Sequence, residues 1–348
     1  MLADAQDMRP SRLPAGKLPA EMLQGILARF PVSDPAVMVA AAIGEDAAVI
    51  DNGGPELLAV KTDPITFAAE DPGRYLLAVN GNDLATVGAE PHWLLVTALL
   101  PEGVTGEEVQ SLFESLREAC VKESVTLVGG HTEISVGLDR PILVGCLLGT
   151  VPRDRVLRTA GARPGDALLL AGGIALEGTA ILAREHADRL RESGVDAAVI
   201  ERAAGWLHEP GISVLPAARI LRESRALHAL HDPTEGGLIT ALHEMAEAAE
   251  VGLRIEREAI PVLTECRLIC DELGLDPLGL LASGALLAAV EADHAQAMAQ
   301  ALQSARLQAA IIGRTVAPEQ GRTFTTGRPL PSFARDELAR YLEGLRKE

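Results

Sequence analysis

Aromatic residues are almost missing from this sequence: two tryptophans, two tyrosines and five phenylalanines in 348 residues. Hydrophobic residues still make up 48%, so Leu, Val, Ile and Ala must fill the core. A chain of this length is expected to divide that core between two domains. Cysteine is scarce as well. Cys120, Cys146, Cys266 and Cys270 form no paired framework, which excludes a disulfide scaffold and fits a reduced, cytoplasmic protein. Positive charge is in deficit, with 31 Lys and Arg against 49 Asp and Glu, a net charge of −18. Nucleic acid and anionic membranes both require a basic face, so neither is expected as a partner. An acidic chain binds a polyanion such as ATP only with metal ions between the two. No apolar run approaches the length of a membrane span, Met1 to Arg12 lacks a signal-peptide core, and there is no short-period repeat.

Two familiar motifs also fail. Gly173-Ile174-Ala175-Leu176-Glu177-Gly178-Thr179-Ala180 has phosphate-loop glycine spacing but lacks the lysine after the second glycine. A strand-to-helix turn explains these glycines as well as phosphate contact does, although a helix N-terminus there offers N–H groups to an anion. His243-Glu244 lacks the second histidine of a zinc protease and reads as a helix surface or rim. Cys266 and Cys270 share a helix face and read as core. Metal ligation by His228 and His231 is the minor reading.

What is present is concentrated between Gly44 and Pro91. Three acidic marks interrupt apolar sequence: Gly44-Glu45-Asp46-Ala47, Lys61-Thr62-Asp63-Pro64 and Asn80-Gly81-Asn82-Asp83. Taken singly, such aspartates are more often turn or cap residues. Together they form a set of carboxylates able to converge on a divalent cation, the usual partner of nucleotide phosphates. Asp83 falls inside an apolar helix, where an unpaired charge is expensive. Asp232 follows a short strand and precedes a helix, a common place for catalytic groups.

The expected elements follow from periodicity and turn signals. Leu18–Phe30 has helical spacing. Ala47–Asp51 and Leu57–Thr62 read as a strand pair. Asp71-Pro72 reads as an N-cap opening a helix to about Gly88. Trp93–Leu100 is a strand, and Thr105-Gly106-Glu107-Glu108 is a capping box for a helix to Lys122. Val125–Val128 is a strand expected to stop at Gly129-Gly130-His131-Thr132-Glu133, where glycines let a ligand approach. Pro141–Thr150 is another strand. In the second half the expected helices are Ala175–Leu190, Ile212–Arg222, Leu238–Glu250, Pro261–Leu273, His294–Ser304 and Ser332–Leu345. The strands are Asp166–Ala171, Ala226–Leu230, Gly284–Glu291 and Ala309–Thr315, with Arg191–Gly211 irregular. The mixture is α+β. The expected divisions are a tail and helix (1–34), an N-terminal domain (35–155), a C-terminal domain (156–330) and a final helix (331–348).

Taken in order, these motifs resemble the aminoimidazole ribonucleotide synthetase (PurM-like) superfamily. It includes hydrogenase-maturation carbamoyl dehydratases (HypE-like proteins), selenophosphate synthetases and thiamine-monophosphate kinases. The resemblance rests on Gly44–Val49, Thr62-Asp63, Asn82-Asp83-Leu84-Ala85, Gly88-Ala89-Glu90-Pro91, Gly129-Gly130-His131-Thr132 and Asp232–Gly237. It implies two α+β domains, the N-terminal one pairing with a second copy into a dimeric β-barrel. It also implies ATP-dependent, Mg²⁺-dependent chemistry on a small-molecule acceptor. Asp46, Asp63, Asp83 and Asp232 become the implied metal ligands. Asp46, Asp83 and His131 are the implied catalytic residues. Lys17, Asp63, Asn82, Gly130, Thr132 and Glu133 are implied at the nucleotide, with Lys17 closing over the phosphates. Carbamoyl dehydratases end in Pro-Arg-Ile-Cys, whereas here no cysteine follows Cys270 and Glu235 stands where Arg is usual. The resemblance therefore implies a branch near the dehydratases with its own acceptor. The other readings are a nucleotide-binding maturation or regulatory subunit without turnover, and a small-molecule kinase like the thiamine-monophosphate kinases.

Overall fold

The computed structural model describes residue 18 and residues 20–42, 44–65 and 71–345. Two open six-stranded sheets organise them. After helix α1 (Ala20–Leu27), the first half contains β1 (Val37–Val39), β2 (Ala48–Ile50), β3 (Glu56–Ile65), α2 (Pro72–Thr86), β4 (Glu90–Pro101), α3 (Gly106–Glu123), β5 (Thr126–Ser135) and β6 (Ile142–Pro152). The strand order is β1-β2-β3-β6-β4-β5. Only β4 and β5 run parallel, because helix α3 provides the crossover between them. Thr105 and Glu108 make both hydrogen bonds of the capping box that starts α3. Helices α2 and α3 cover one sheet face. The other face leaves Trp93 42% and Leu95 38% exposed. Among the described residues neither sheet closes into a barrel.

The second half contains β7 (Ala167–Ala171), α4 (Leu176–Glu185), α5 (Ala187–Glu192), α6 (Ala197–Ala204), α7 (Leu215–Leu221), β8 (Leu227–His231), α8 (Gly237–Ala248), β9 (Gly252–Ile255), α9 (Thr264–Leu273), β10 (Leu286–Val290), α10 (Ala292–Ser304), β11 (Ala309–Val316), β12 (Arg322–Phe324) and α11 (Glu337–Leu345). Their order is β12-β9-β11-β7-β10-β8. Strands β7 and β10 are buried on both faces, which explains their unbroken apolar sequences. Leu168 and Leu170 pack towards α4, while Leu169 packs with α7 and α10. No helix among the described residues is long and apolar enough to cross a membrane.

Several expectations need correction. Asp71 precedes α2, but its φ is 55° and its side chain makes no capping bond. Its carboxylate instead accepts from Ser115 and pairs with Arg74 at 3.1 Å. Strand β5 does not stop at the glycines; it continues through them to Ser135. The helix expected over Ala175–Leu190 breaks at His186 into α4 and α5, and the supposedly irregular stretch holds α6. Strands β1, β9 and β12 are too short to show a period of two. The last helix starts only at Glu337, and the segment before it straps the loop after β8. There the Gly236 N–H donates to Asp336 (2.7 Å), and His243 Nε2 reaches the Pro331 carbonyl (2.8 Å). The glycines at and just before the phosphate-loop lookalike serve turn and packing. Gly172 has φ 85°, and a Cβ on Gly178 would lie 2.6 Å from Leu280.

Candidate functional site

Helix α2 lies between the two halves of the molecule, packing on β3, β6, α3, α7 and β8. It is apolar and buried around most of its circumference, so its polar residues have nowhere to go but inward. Strand β3 faces it. The strand's period of two places Lys61 and Asp63 on the same face as buried Leu57 and Ala59. That face brings Lys61 Nζ to 2.9 Å from Asp83 on α2 and 3.4 Å from Asp63. From the other half, β8 ends at His231, and Pro233 cannot donate to a ladder beyond it. Asp232 is therefore left at the strand terminus, 3% exposed. Asp46, in the loop before β2, meets this end. Its Oδ2 is 2.9 Å from His231 Nδ1. Glu244, two turns into α8, lies 2.9 Å from His231 Nε2. Asp46, His231 and Asp232 each place a donor atom within 4.8 Å of the other two.

Carboxylates outnumber cations here. Burial pushes the Asp83 carboxyl well above its ordinary range, the Asp232 charge adds to that, and Lys61 opposes it. Burial works against the Lys61 ammonium, yet Asp83 and Asp63 outweigh it and hold the amine charged. One ammonium shared by two carboxylates does not offset a buried group that also faces Asp232 and Asp46. Burial likewise opposes a charged His231, but Asp46 and Glu244 hold it well above the usual histidine range. Glu45 is raised by burial and by Asp46, with Arg158 pulling the other way. Such a centre attracts further positive charge.

The four aspartates Asp46, Asp63, Asp83 and Asp232 are thus brought together. Asn82 is not on the wall of the site. Its amide donates to the Ile212 carbonyl and accepts from the Val214 N–H, both at 2.8 Å, so it ties α2 to the second half. Gly130, His131, Thr132 and Glu133 lie elsewhere, on the exposed edge strand β5. Asp63, Gly145, Val96 and Gly130 occupy one cross-strand row. Gly130 is therefore three strand spacings, about 14 Å, from Asp63. A Cβ on Gly130 would meet the Val96 carbonyl at 1.9 Å, so close strand approach already demands glycine there. His131 Nε2 lies 3.0 Å from Glu133 Oε2 on the strand surface. Lys17 lies outside the described residues.

Three members of the site carried weak sequence signals. Lys61 is two residues before Asp63, the spacing that puts both on one strand face. Glu244 follows Gly237 by seven residues, so it shares the inward stripe of α8 rather than its rim. His231 adjoins Asp232, but nothing local revealed that both its nitrogens would meet carboxylates.

Comparison with known proteins gives a consistent picture. Residues 44–151 match the N-terminal domain of AIR synthase related proteins, and residues 163–325 match the C-terminal domain. A Methanocaldococcus jannaschii protein named for hydrogenase expression and formation is 32% identical over 289 residues, covering 81% of this chain and 82% of the relative. The carbamoyl dehydratase HypE of Cupriavidus necator is 34% identical over 268 residues, covering 75% and 72%. The crystal structure of a hydrogenase maturation protein HypE in complex with ATP is similar with a TM-score of 0.66 at 25% identity. It covers 94% of this chain and 98% of that one.

Proposed function

The chain belongs to the AIR synthase related protein family, and from that premise we propose a magnesium-dependent, ATP-using enzyme that phosphorylates or otherwise activates a small-molecule acceptor. The observation that carries this reading is that Asp46 and Asp232 place carboxylate oxygens within 4.8 Å of each other, while Asp83 feels the charges of Asp232, Asp46 and Asp63. The ATP held by the similar HypE structure supports it. The donors fit a hard divalent cation, because they are carboxylate oxygens brought in from separate parts of the fold. Those four residues would hold it. When bound, the cation neutralises and aligns the phosphates, which is most of what phosphoryl transfer requires.

The chain's own residues do the rest. Lys61 keeps Asp63 and Asp83 from repelling one another before nucleotide arrives, and it presents an ammonium where phosphate charge would enter. Asn82 fixes the second half against α2, holding Asp232 opposite Asp83. His131, Thr132 and Glu133 are the inferred nucleotide contacts on the distant strand β5. They join an aspartate cluster only if a second copy contributes them. The enzyme is accordingly a homodimer, paired through the uncovered face of the first sheet.

Calorimetric titration of ATP with and without Mg²⁺ tests the reading. Binding should require Mg²⁺, and Asp46→Asn or Asp83→Asn should weaken it at least about tenfold, a loss of about 1.4 kcal/mol. ADP release then screens candidate acceptors. Unchanged ATP binding in both variants would sink the site assignment.

A further inference from the structure

We infer that a cavity on the seam between the two halves, beside the first turns of α2 and away from the aspartate cluster, is a second ligand site that takes a small organic carboxylate with an apolar body and tightens ATP binding when filled. The site itself stands without the ATP reading. Only its coupling to ATP affinity rests on that reading.

The cavity has a volume of about 270 Å³. That is just below the range of drug-sized pockets, so its ligand is small. Helix α2 supplies one wall with Arg74, Tyr75 and Ala78, whose spacing puts them on one face. Lys122 comes from α3, Arg184 from α4, and Ser213 from the loop before α7. Tyr75 precedes Asp83 by eight residues, about 12 Å along the helix. A ligand in this cavity does not reach phosphates held beside Asp83, so this is not the acceptor's pocket. It does touch the strut between the halves. Ser213 stands between Ile212 and Val214, the two residues whose backbone Asn82 holds. Filling the cavity firms that contact, and the same contact keeps Asp232 opposite Asp83.

The wall is rich in unmet donors. The Tyr75 and Ser213 hydroxyl oxygens are buried and have no hydrogen-bond partner among the described residues. Tyr75 is 5% exposed, and burial keeps its phenol protonated and therefore a donor. A buried hydroxyl without a partner is costly, so an acceptor must come from whatever fills the cavity. Lys122 makes no ion pair among the described residues. The carboxylates of the wall are largely answered. Asp71 has Arg74 at 3.1 Å and His208 at 3.7 Å, Glu123 has Arg219 at 3.1 Å, and Glu118 is exposed at the rim. Donors therefore outnumber open acceptors, and the complementary group is an oxyanion. The nearby carboxylates favour a singly charged carboxylate over a phosphate of about two charges, which they repel more strongly. Leu77, Ala78, Leu207 and Ile212 give the rest of the wall an apolar surface for the ligand's body.

Benzoate and hexanoate are the probes, with inorganic phosphate as the competing anion, on the full-length protein without nucleotide. Saturation-transfer NMR should show saturable binding of at least one carboxylate with a Kd of about 1 mM or below, and phosphate should not displace it. Tyr75→Phe removes one unpartnered hydroxyl and nothing else, so it should fold as wild type and weaken the probe about two- to tenfold. Ala78→Leu fills the cavity and should abolish binding. A saturating carboxylate should tighten Mg²⁺-dependent ATP binding at least about fivefold in wild-type protein and have no effect in Ala78→Leu. Failure of both carboxylates to bind, displacement by phosphate, or unchanged binding in both variants would each overturn the site. Carboxylate binding that leaves ATP affinity unchanged would overturn the coupling. If the carboxylate binds and ATP does not, the site stands and the ATP reading fails. If ATP binds and neither carboxylate does, the ATP reading stands and this site alone has failed.

Discussion

Lys61 is the residue on which the electrostatics of the site turn. It is the described ammonium beside Asp63 and Asp83, and one cation cannot satisfy both when Asp83 is also buried next to Asp232. Lys61→Met would keep the chain length while leaving Asp83 a buried carboxylate without its counter-ion. The expected cost is about 3 kcal/mol, at the low end for a broken buried pair because Asp83 can take up a proton. Millimolar Mg²⁺ should restore part of that loss in the variant and stabilise wild-type protein less. Urea denaturation with and without Mg²⁺ measures both, and an equal Mg²⁺ effect on the two proteins would contradict the shared-cation view. At this scale the aspartates were legible, because a charge inside apolar sequence is costly and visible in the pattern. Lys61 stands in the same motif but has no visible role there, since its partner Asp83 is twenty-two residues away in sequence.

Among the elements, α2 is the one the molecule depends on. It covers the first sheet, packs on α7 and β8 of the second half, and carries Asp83 and Asn82. A charged network runs parallel to this contact: Arg219 and Arg222 both reach Glu90 at 2.6 Å, and Arg219 also reaches Glu123 at 3.1 Å. These side chains are partly exposed, so they orient the halves more than they stabilise them. Asn82 is buried and matters more. Asn82→Ala would strand the Ile212 carbonyl and the Val214 N–H, a loss of about 3 kcal/mol. Its effect on ATP affinity should follow from loosening between the halves. Asn82→Asp retains the acceptor for Val214 but sets a buried carboxylate against the Ile212 carbonyl, so it should be no milder. A variant that loses ATP binding with unchanged thermal stability would instead make Asn82 a nucleotide contact. The extent of α2 was legible from Asp71-Pro72 and Gly88. The conformation of Asp71 was not, because its left-handed backbone answers to Ser115 on α3.

For the whole molecule, the open face of the first sheet is the feature that a single chain leaves unresolved. Trp93 and Leu95 lie on it, and edge strand β5 exposes Leu127, Val128 and Ile134 beside it. Contiguous apolar surface of this kind marks an interface. Leu95→Asp should give a monomer by light scattering while keeping its fold, since Leu95 is 38% exposed in the single chain. Mg²⁺-dependent ATP binding should weaken with it if β5 of a second copy completes the site. A wild-type protein that is monomeric and binds ATP would remove the dimer from the proposal. The sequence by itself determined the two α+β halves and most of the longer elements, and it singled out the four aspartates as candidates, because periodicity, caps and misplaced charges are local properties. Tertiary structure alone decided that Lys61, His231 and Glu244 complete the cluster, that Asn82 is a strut, and that the glycine-rich β5 lies about 14 Å from Asp63. Those facts depend on which strands become neighbours and which helix faces meet. Pairing across the sheets and between the two halves is written in no single stretch of the chain.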